Sequence, residues 1–275
     1  ANINNLGEVG ELPVDPACSE EGRDPIDGVT PFNARLAGAI EVRNLRFSYN
    51  KFAAPLIEDF SLRVAPGARV ALVGRSGCGK STVLKLLAGL LTPDGGEILY
   101  DGRPARSINR DVFRANVAMV DQHIFLFTGT VADNITMWNR SIDQEEIVRA
   151  ARDALIHDVI CEKPGGYQTR VEAGGGNFSG GQCQRIEIAR GLLMRPSIIF
   201  LDEATSALDS HTEHQVMENL KRYGCTTVTI AHRLSSIRDY DEILVLDRGR
   251  VVQRGTHDSL MQDKDGLYFR LASEA

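Results

Sequence analysis

The segment RVALVGRSGCGKSTVLKLL (69–87) constrains this chain most: an apolar strand-like run, a glycine-rich turn and a helical repeat follow one another without a gap. Within it Gly74, Arg75, Ser76, Gly77, Cys78, Gly79, Lys80 and Ser81 complete the pattern G-x-x-x-x-G-K-[ST], with Thr82 next. Glycines let the backbone curl so that successive N–H groups face phosphate oxygens, and the helix N-terminus adds its dipole. Lys80 supplies positive charge to the β and γ phosphates, and the Ser81 hydroxyl suits a Mg²⁺ ligand. At average residue frequencies this pattern arises by chance in roughly one chain of this length in a hundred, and the flanking strand and helix make chance rarer still.

A second element follows the same logic. SIIFLDE (197–203) is an apolar strand that ends in two adjacent acids, and strand alternation turns their side chains in different directions. Asp202 is therefore expected in the Mg²⁺ shell, while Glu203 orients or deprotonates an attacking water. These two elements alone leave a small-molecule kinase, a GTPase, a helicase and a transporter motor open.

Composition narrows the partners. With 31 Lys plus Arg against 37 Asp plus Glu, scattered along 275 residues, the chain has a net charge of −6 and no basic block to attract nucleic acid. The five cysteines form no C-x-x-C pair, which fits a reducing, cytosolic setting. No window approaches 18 consecutive apolar residues, so no membrane span is expected within the chain.

Along the sequence, residues 1–37 are acidic and punctuated by Pro13, Pro16, Pro25 and Pro31, and are read as a linker. Residues 38–275 then form one α/β domain. IEVRNLRFSY, FSLRVA and RVALVG read as strands, Ser81–Leu90 as a helix, and EILYDGRPA as a β pair. A mostly helical insert is expected from about 123 to 193, with a glycine-rich interruption at Gly174–Gly181. SIIFLD, TTVTIAH and EILVLD return as strands with a helix over Ser210–Tyr223, which indicates a parallel sheet.

The segment that decides between the open classes is FSGGQCQRIEIARGLL (178–193), where SGGQ leads into a helix just upstream of the acidic strand. It resembles the signature of ATP-binding cassette (ABC) ATPases. The resemblance implies a P-loop NTPase core with a mainly parallel sheet, an N-terminal antiparallel β subdomain and an inserted α-helical subdomain. It also implies a head-to-tail homodimer, in which Ser179, Gly180, Gly181 and Gln182 of one copy close over the γ-phosphate held by the P-loop of the other. ATP and Mg²⁺ are the implied cofactor set.

Other positions are placed by the same resemblance. Tyr49 matches the aromatic that stacks on adenine, its alternative being a core aromatic. Gln122 matches the glutamine that reaches Mg²⁺ and the water. Asp209, in SALD, matches the loop that crosses the dimer interface, and His232 matches the switch histidine at the γ-phosphate. Glu203, His232, Gln122 and Lys80 are thus the expected catalytic group, and Ser81, Gln122 and Asp202 the expected metal ligands.

DEAT at 202–205, AHRL around His232 and FLFTGTVADNI after Gln122 resemble exporters. That implies a transmembrane domain as partner, a place at the cytoplasmic face of the cell membrane, and no nucleic acid. LPVDP and FSGGQCQRIEIAR are most similar to exporters of bacteriocin-like or other leader-bearing peptides. A non-transporting ABC ATPase and a purely regulatory nucleotide-binding subunit are the rival readings. Cys183, where arginine is usual, and Ala173–Gly176, where a more charged loop is usual, depart from the pattern. Cys78 lies near Lys80 and a helix N-terminus, which favours a reactive thiolate; an inert small filler is the alternative, and the one preferred.

Overall fold

The computed structural model describes residues 34–50, 52–231 and 233–274; the LPVDP segment, Cys18 and His232 lie outside them. In chain order the first elements are β1 (Ile40–Phe47), β2 (Ile57–Val64), β3 (Arg69–Val73), α1 (Lys80–Leu87), β4 (Gly95–Tyr100), β5 (Arg103–Pro104), α2 (Arg110–Asn116) and β6 (Val117–Val120). Then come β7 (Gly129–Thr130), α3 (Val131–Thr136), α4 (Gln144–Asp153), α5 (His157–Glu162), β8 (Arg170–Val171) and α6 (Gly180–Leu193). The chain continues through β9 (Ile198–Asp202), α7 (Ser210–Tyr223), β10 (Thr226–Ile230), β11 (Glu242–Asp247), β12 (Arg250–Gly255), α8 (His257–Gln262) and α9 (Leu267–Glu274).

β1 shows how pattern becomes pairing. Ile40 and Val42 point inward, the phase slips around Asn44 in left-handed backbone, and Leu45 and Phe47 resume the buried side. The slip coincides with the register shifts against β2 and β4, so the four-stranded antiparallel sheet β2-β1-β4-β5 keeps one apolar face throughout.

The six-stranded sheet has the order β12-β11-β3-β10-β9-β6, parallel except for the β11/β12 edge pair. β3, β9 and β10 are buried at every residue, as strands covered on both faces must be. Val70 and Leu72 of β3 pack with α1 and the antiparallel sheet, whereas Ala71 and Val73 pack with α6 and the helical insert. Each fully buried leucine or isoleucine here contributes about 1.5–3 kcal/mol. Register places Leu72, Ile230 and Asp202 abreast, with Leu201 opposite Val120. The segments after β3, β6, β9 and β10 therefore emerge side by side at the carboxyl ends of parallel strands, where open α/β sheets bind ligands.

Two local expectations shift. The helix after the P-loop ends at Leu87, because Ala88 caps it and Gly89 turns left-handed (φ +69); Leu90 is exposed beyond it. The helical insert also contains a small antiparallel pair, β7 with β8, which ties the segment after Gln122 to the one before the SGGQ turn. Among the described residues no helix is long and apolar enough to cross a membrane.

Candidate nucleotide-binding site

A cleft of about 410 Å³ opens at the strand ends, and its lining joins the P-loop (Gly74, Ser76, Gly77, Gly79–Thr82) to Gln122, Glu203 and Ala231. Gly74 leaves β3 at φ +151, and a Cβ there would fall 2.2 Å from the Leu246 carbonyl oxygen, so only glycine fits this exit. Lys80 Nζ donates to the carbonyls of Gly74 (2.8 Å) and Arg75 (3.1 Å), which holds the ammonium over the loop.

Arg75 and Cys78 are absent from the lining. Cys78 is buried, its amide donates to the Arg75 carbonyl, and burial pushes its thiol pKa up against the weaker pull of Lys80. This burial favours the preferred reading of Cys78 as a small filler over the reactive thiolate.

Ser81 Oγ donates to Asp202 Oδ1 at 3.1 Å. Asp202 ends β9 and is buried, and that burial pushes its carboxyl above the usual range; a cation beside it would offset the cost of its charge. Hydroxyl and carboxylate oxygens are the hard donors Mg²⁺ takes, so the residues fit that ion. One residue later Glu203 leaves the strand in left-handed backbone (φ +50), which sends its side chain into the cleft. A non-glycine residue in this conformation costs of the order of 1 kcal/mol or more, and such strain concentrates at working sites. Gln122 Nε2 donates to Glu203 Oε2 at 2.5 Å, so the segment after β6 and the one after β9 meet over the P-loop.

Tyr49 is not a core aromatic. It is 65% exposed, with its hydroxyl 3.2 Å from Thr82 Oγ1 and its ring held edge-on by Phe47. Its outer face is open beside the P-loop helix.

The SGGQ turn is built elsewhere. Ser179 caps α6, accepting from Gln182 N while its own N–H donates to Gln182 Oε1, a reciprocal capping box. Ser179 and Gly180 are exposed, and none of Ser179–Gln182 lines the cleft. Asp209 caps α7, accepting from the amides of His211 and Thr212 and from the Thr212 hydroxyl.

Two connections escaped the sequence reading. Buried Gln184 of α6 donates to Ser206 Oγ (3.0 Å) and accepts from the Ala207 amide (2.9 Å), which joins the SGGQ helix to the SALD loop. Arg233 bonds the Leu208 carbonyl and buried Glu213, which ties the stretch beside position 232 to the same loop. A polar residue on the buried face of a helix was the available signal for Gln184; Arg233 and Glu213 are brought together only by the tertiary fold.

The two departures from the signature pattern prove to be neighbours. A Cβ on Gly175 would lie 2.8 Å from Cys183 Sγ, so the glycine loop settles onto a helix position that has been made small to receive it.

A P-loop, an acid-tipped parallel strand and a capped SGGQ helix in this topology define a nucleotide-binding domain of the ABC class. The family model described as ABC transporter matches residues 57–206, more than half of the chain. The chain belongs to that family and carries its ATPase domain in the exporter form. It is 44% identical over 249 residues to an ATP-dependent lipid A-core flippase of Pseudomonas fluorescens, covering 90% of this chain and 41% of that protein. It is 41% identical over 238 residues to the exotoxin translocation ATP-binding protein PaxB of Pasteurella aerogenes, covering 86% and 34%. A bacterial Atm1-family ABC exporter with ATP bound shares the fold at TM-score 0.81 and 39% identity, over 86% of this chain and 42% of that one. The chain thus spans less than half the length of these relatives.

Proposed function

We propose that residues 38–275 are the motor of an exporter, with residues 1–37 as the linker from a transmembrane domain and catalysis divided between two copies of the chain. The observation that carries this reading is the Gln122–Glu203 hydrogen bond, set beside the Ser81–Asp202 pair at the mouth of the P-loop. The P-loop amides and Lys80 hold the triphosphate, and Tyr49 offers its open face to the base. Glu203 accepts a proton from the attacking water, and Gln122 orients that water. His232 contacts the γ-phosphate by family position. Ser81, Gln122 and Asp202 would hold Mg²⁺, which when bound neutralises charge on the β and γ oxygens.

In one copy the Ser179–Gln182 turn, exposed at Ser179 and Gly180, lies outside its own cleft, so it serves the γ-phosphate of a second copy arranged head to tail. ATP then favours the closed pair by adding contacts that exist only when closed, and this shift moves the membrane domain from the cytoplasmic face. We assign leader-bearing peptides as cargo on the wording of FSGGQCQRIEIAR and the LPVDP segment. A full transporter should show ATP turnover stimulated by such a peptide; stimulation by lipid A-core alone would favour a lipid cargo.

Replacing Glu203 by glutamine should lower phosphate release by about 10²- to 10⁴-fold while ATP still binds, because the base is lost and the phosphate grip is kept. Wild-type release by that variant would remove Glu203 from the chemistry.

A further inference from the structure

Residues Ala34–Ala39, which the sequence assigns to the linker and its junction, are fixed to the domain by side chains from three separate elements. Asn116, fully buried at the end of α2, accepts from Leu36 N (3.0 Å) and donates to the Ala34 carbonyl (2.7 Å). Asp101, in the β4–β5 turn, accepts from the amides of Ala37, Gly38 and Ala39 at 2.7–3.0 Å. Thr226 at the start of β10 donates to the Gly38 carbonyl at 2.7 Å. Irregular chain held in this way behaves as part of the rigid body.

From this strap Arg35 reaches out, its Nη1 donating to the carbonyls of Arg195 (2.7 Å) and Met194 (3.4 Å), just past the C-terminal end of α6. A cation is favourable at that end of a helix, where carbonyls lack intrahelical partners. The preceding carbonyls, Leu192 and Leu193, accept from Arg149 of α4, which belongs to the same insert as α6. Arg35 thus ties the end of α6 to the chain pinned to both sheets, alongside Ser197 Oγ, which donates to Asn116. α6 has 14 residues, so its two ends are about 21 Å apart, with Ser179 at the far one.

We propose that Arg35 is a positioning residue for the SGGQ turn: it fixes the C-terminal end of α6 and, through that rigid helix, the seat of Ser179–Gln182. The proposal rests on the reading of that turn as the γ-phosphate partner of a second copy.

The test compares the wild-type chain with Arg35→Ala and Arg35→Lys by three readouts: turnover against ATP concentration, thermal midpoint, and amide exchange at Ala207. The Ala207 amide is bonded to Gln184 in the second turn of α6, so its exchange reports the seat of the helix without requiring hydrolysis. Arg35→Ala should lower turnover about fivefold to tenfold with the ATP concentration for half-maximal rate changed less than about twofold, as misplacement of a positioned group does. Its Ala207 amide should exchange about threefold faster or more, while the thermal midpoint stays near wild type. Arg35→Lys should recover most of both effects. Unchanged turnover would overturn the proposal, as would exchange changes confined to residues 192–196, or a loss of turnover that tracks a fall in thermal midpoint and is not rescued by lysine. A wild-type chain that releases no phosphate would refute the ATPase reading instead, and Ala207 exchange would still judge the strap.

Discussion

The P-loop and the SGGQ turn of this chain are built in opposite ways. Around Gly74–Thr82 the backbone is set by the interior: β3 is wholly buried, Cys78 fills the space under the loop, and Gly74 leaves no room for a side chain. Around Ser179–Gln182 the turn is exposed at Ser179 and Gly180, satisfies its own end through the Ser179–Gln182 box, and rests on a glycine loop accommodated by one small cysteine. The first part carries Glu203 and Gln122 in its cleft, with buried Asp202 behind Ser81; none of Ser179–Gln182 lines that cleft. On the proposed head-to-tail reading, a part that grips substrate alone is preassembled, and a part that serves another copy needs only a presented surface.

The sharpest way to break this contrast is Gly74→Ala. The new Cβ meets a backbone carbonyl and the φ is costly, so nucleotide affinity should fall about 10- to 100-fold for 1–3 kcal/mol of strain, read by titration calorimetry. Ser179→Ala, by contrast, should leave nucleotide binding to the single chain within about twofold while turnover falls about fivefold to tenfold, the equivalent of losing a helix cap and a phosphate contact. Equal losses in both quantities would merge the two parts into one site.

Cys183→Arg restores the usual family residue yet pushes into Gly175, so it should lower stability by about 1–3 kcal/mol, read as a lower thermal midpoint. The smallest expected effect lies at Asp209. The Thr212 hydroxyl and amide hold its carboxyl below the usual range, although it is fully exposed. A lowered folded pKa stabilises above the unfolded value and loses that contribution as pH falls through the folded one. The thermal deficit of Asp209→Ala should therefore be constant at neutral pH and vanish in acid, below ordinary carboxylate values. A deficit independent of pH would assign the cap to geometry alone.

Much of the first part was legible because its chemistry is contiguous. RVALVGRSGCGKST contains the strand, the loop and the helix start, and SIIFLDE contains both acids. The helix over Ser210–Tyr223 was also legible locally, and α7 keeps those bounds. What sequence left open depends on distant residues meeting. The left-handed turn at Glu203 that aims it at Gln122, the Gln184 clasp on the SALD loop and the Arg233–Glu213 tie each join residues from different elements. The two-residue strands β7 and β8 are too short to show alternation. Cys183 and Gly175 read as separate departures until packing put them in contact.

The division of one catalytic site between two copies is tested most directly by solution mass. With ATP and Mg²⁺, the Glu203→Gln chain should sediment at the mass of two copies, and without nucleotide at the mass of one. Adding Ser179→Arg to the same chain should hold it at one copy even with ATP bound. A single-copy mass for Glu203→Gln at saturating ATP, or a pair that survives Ser179→Arg, would contradict the head-to-tail site.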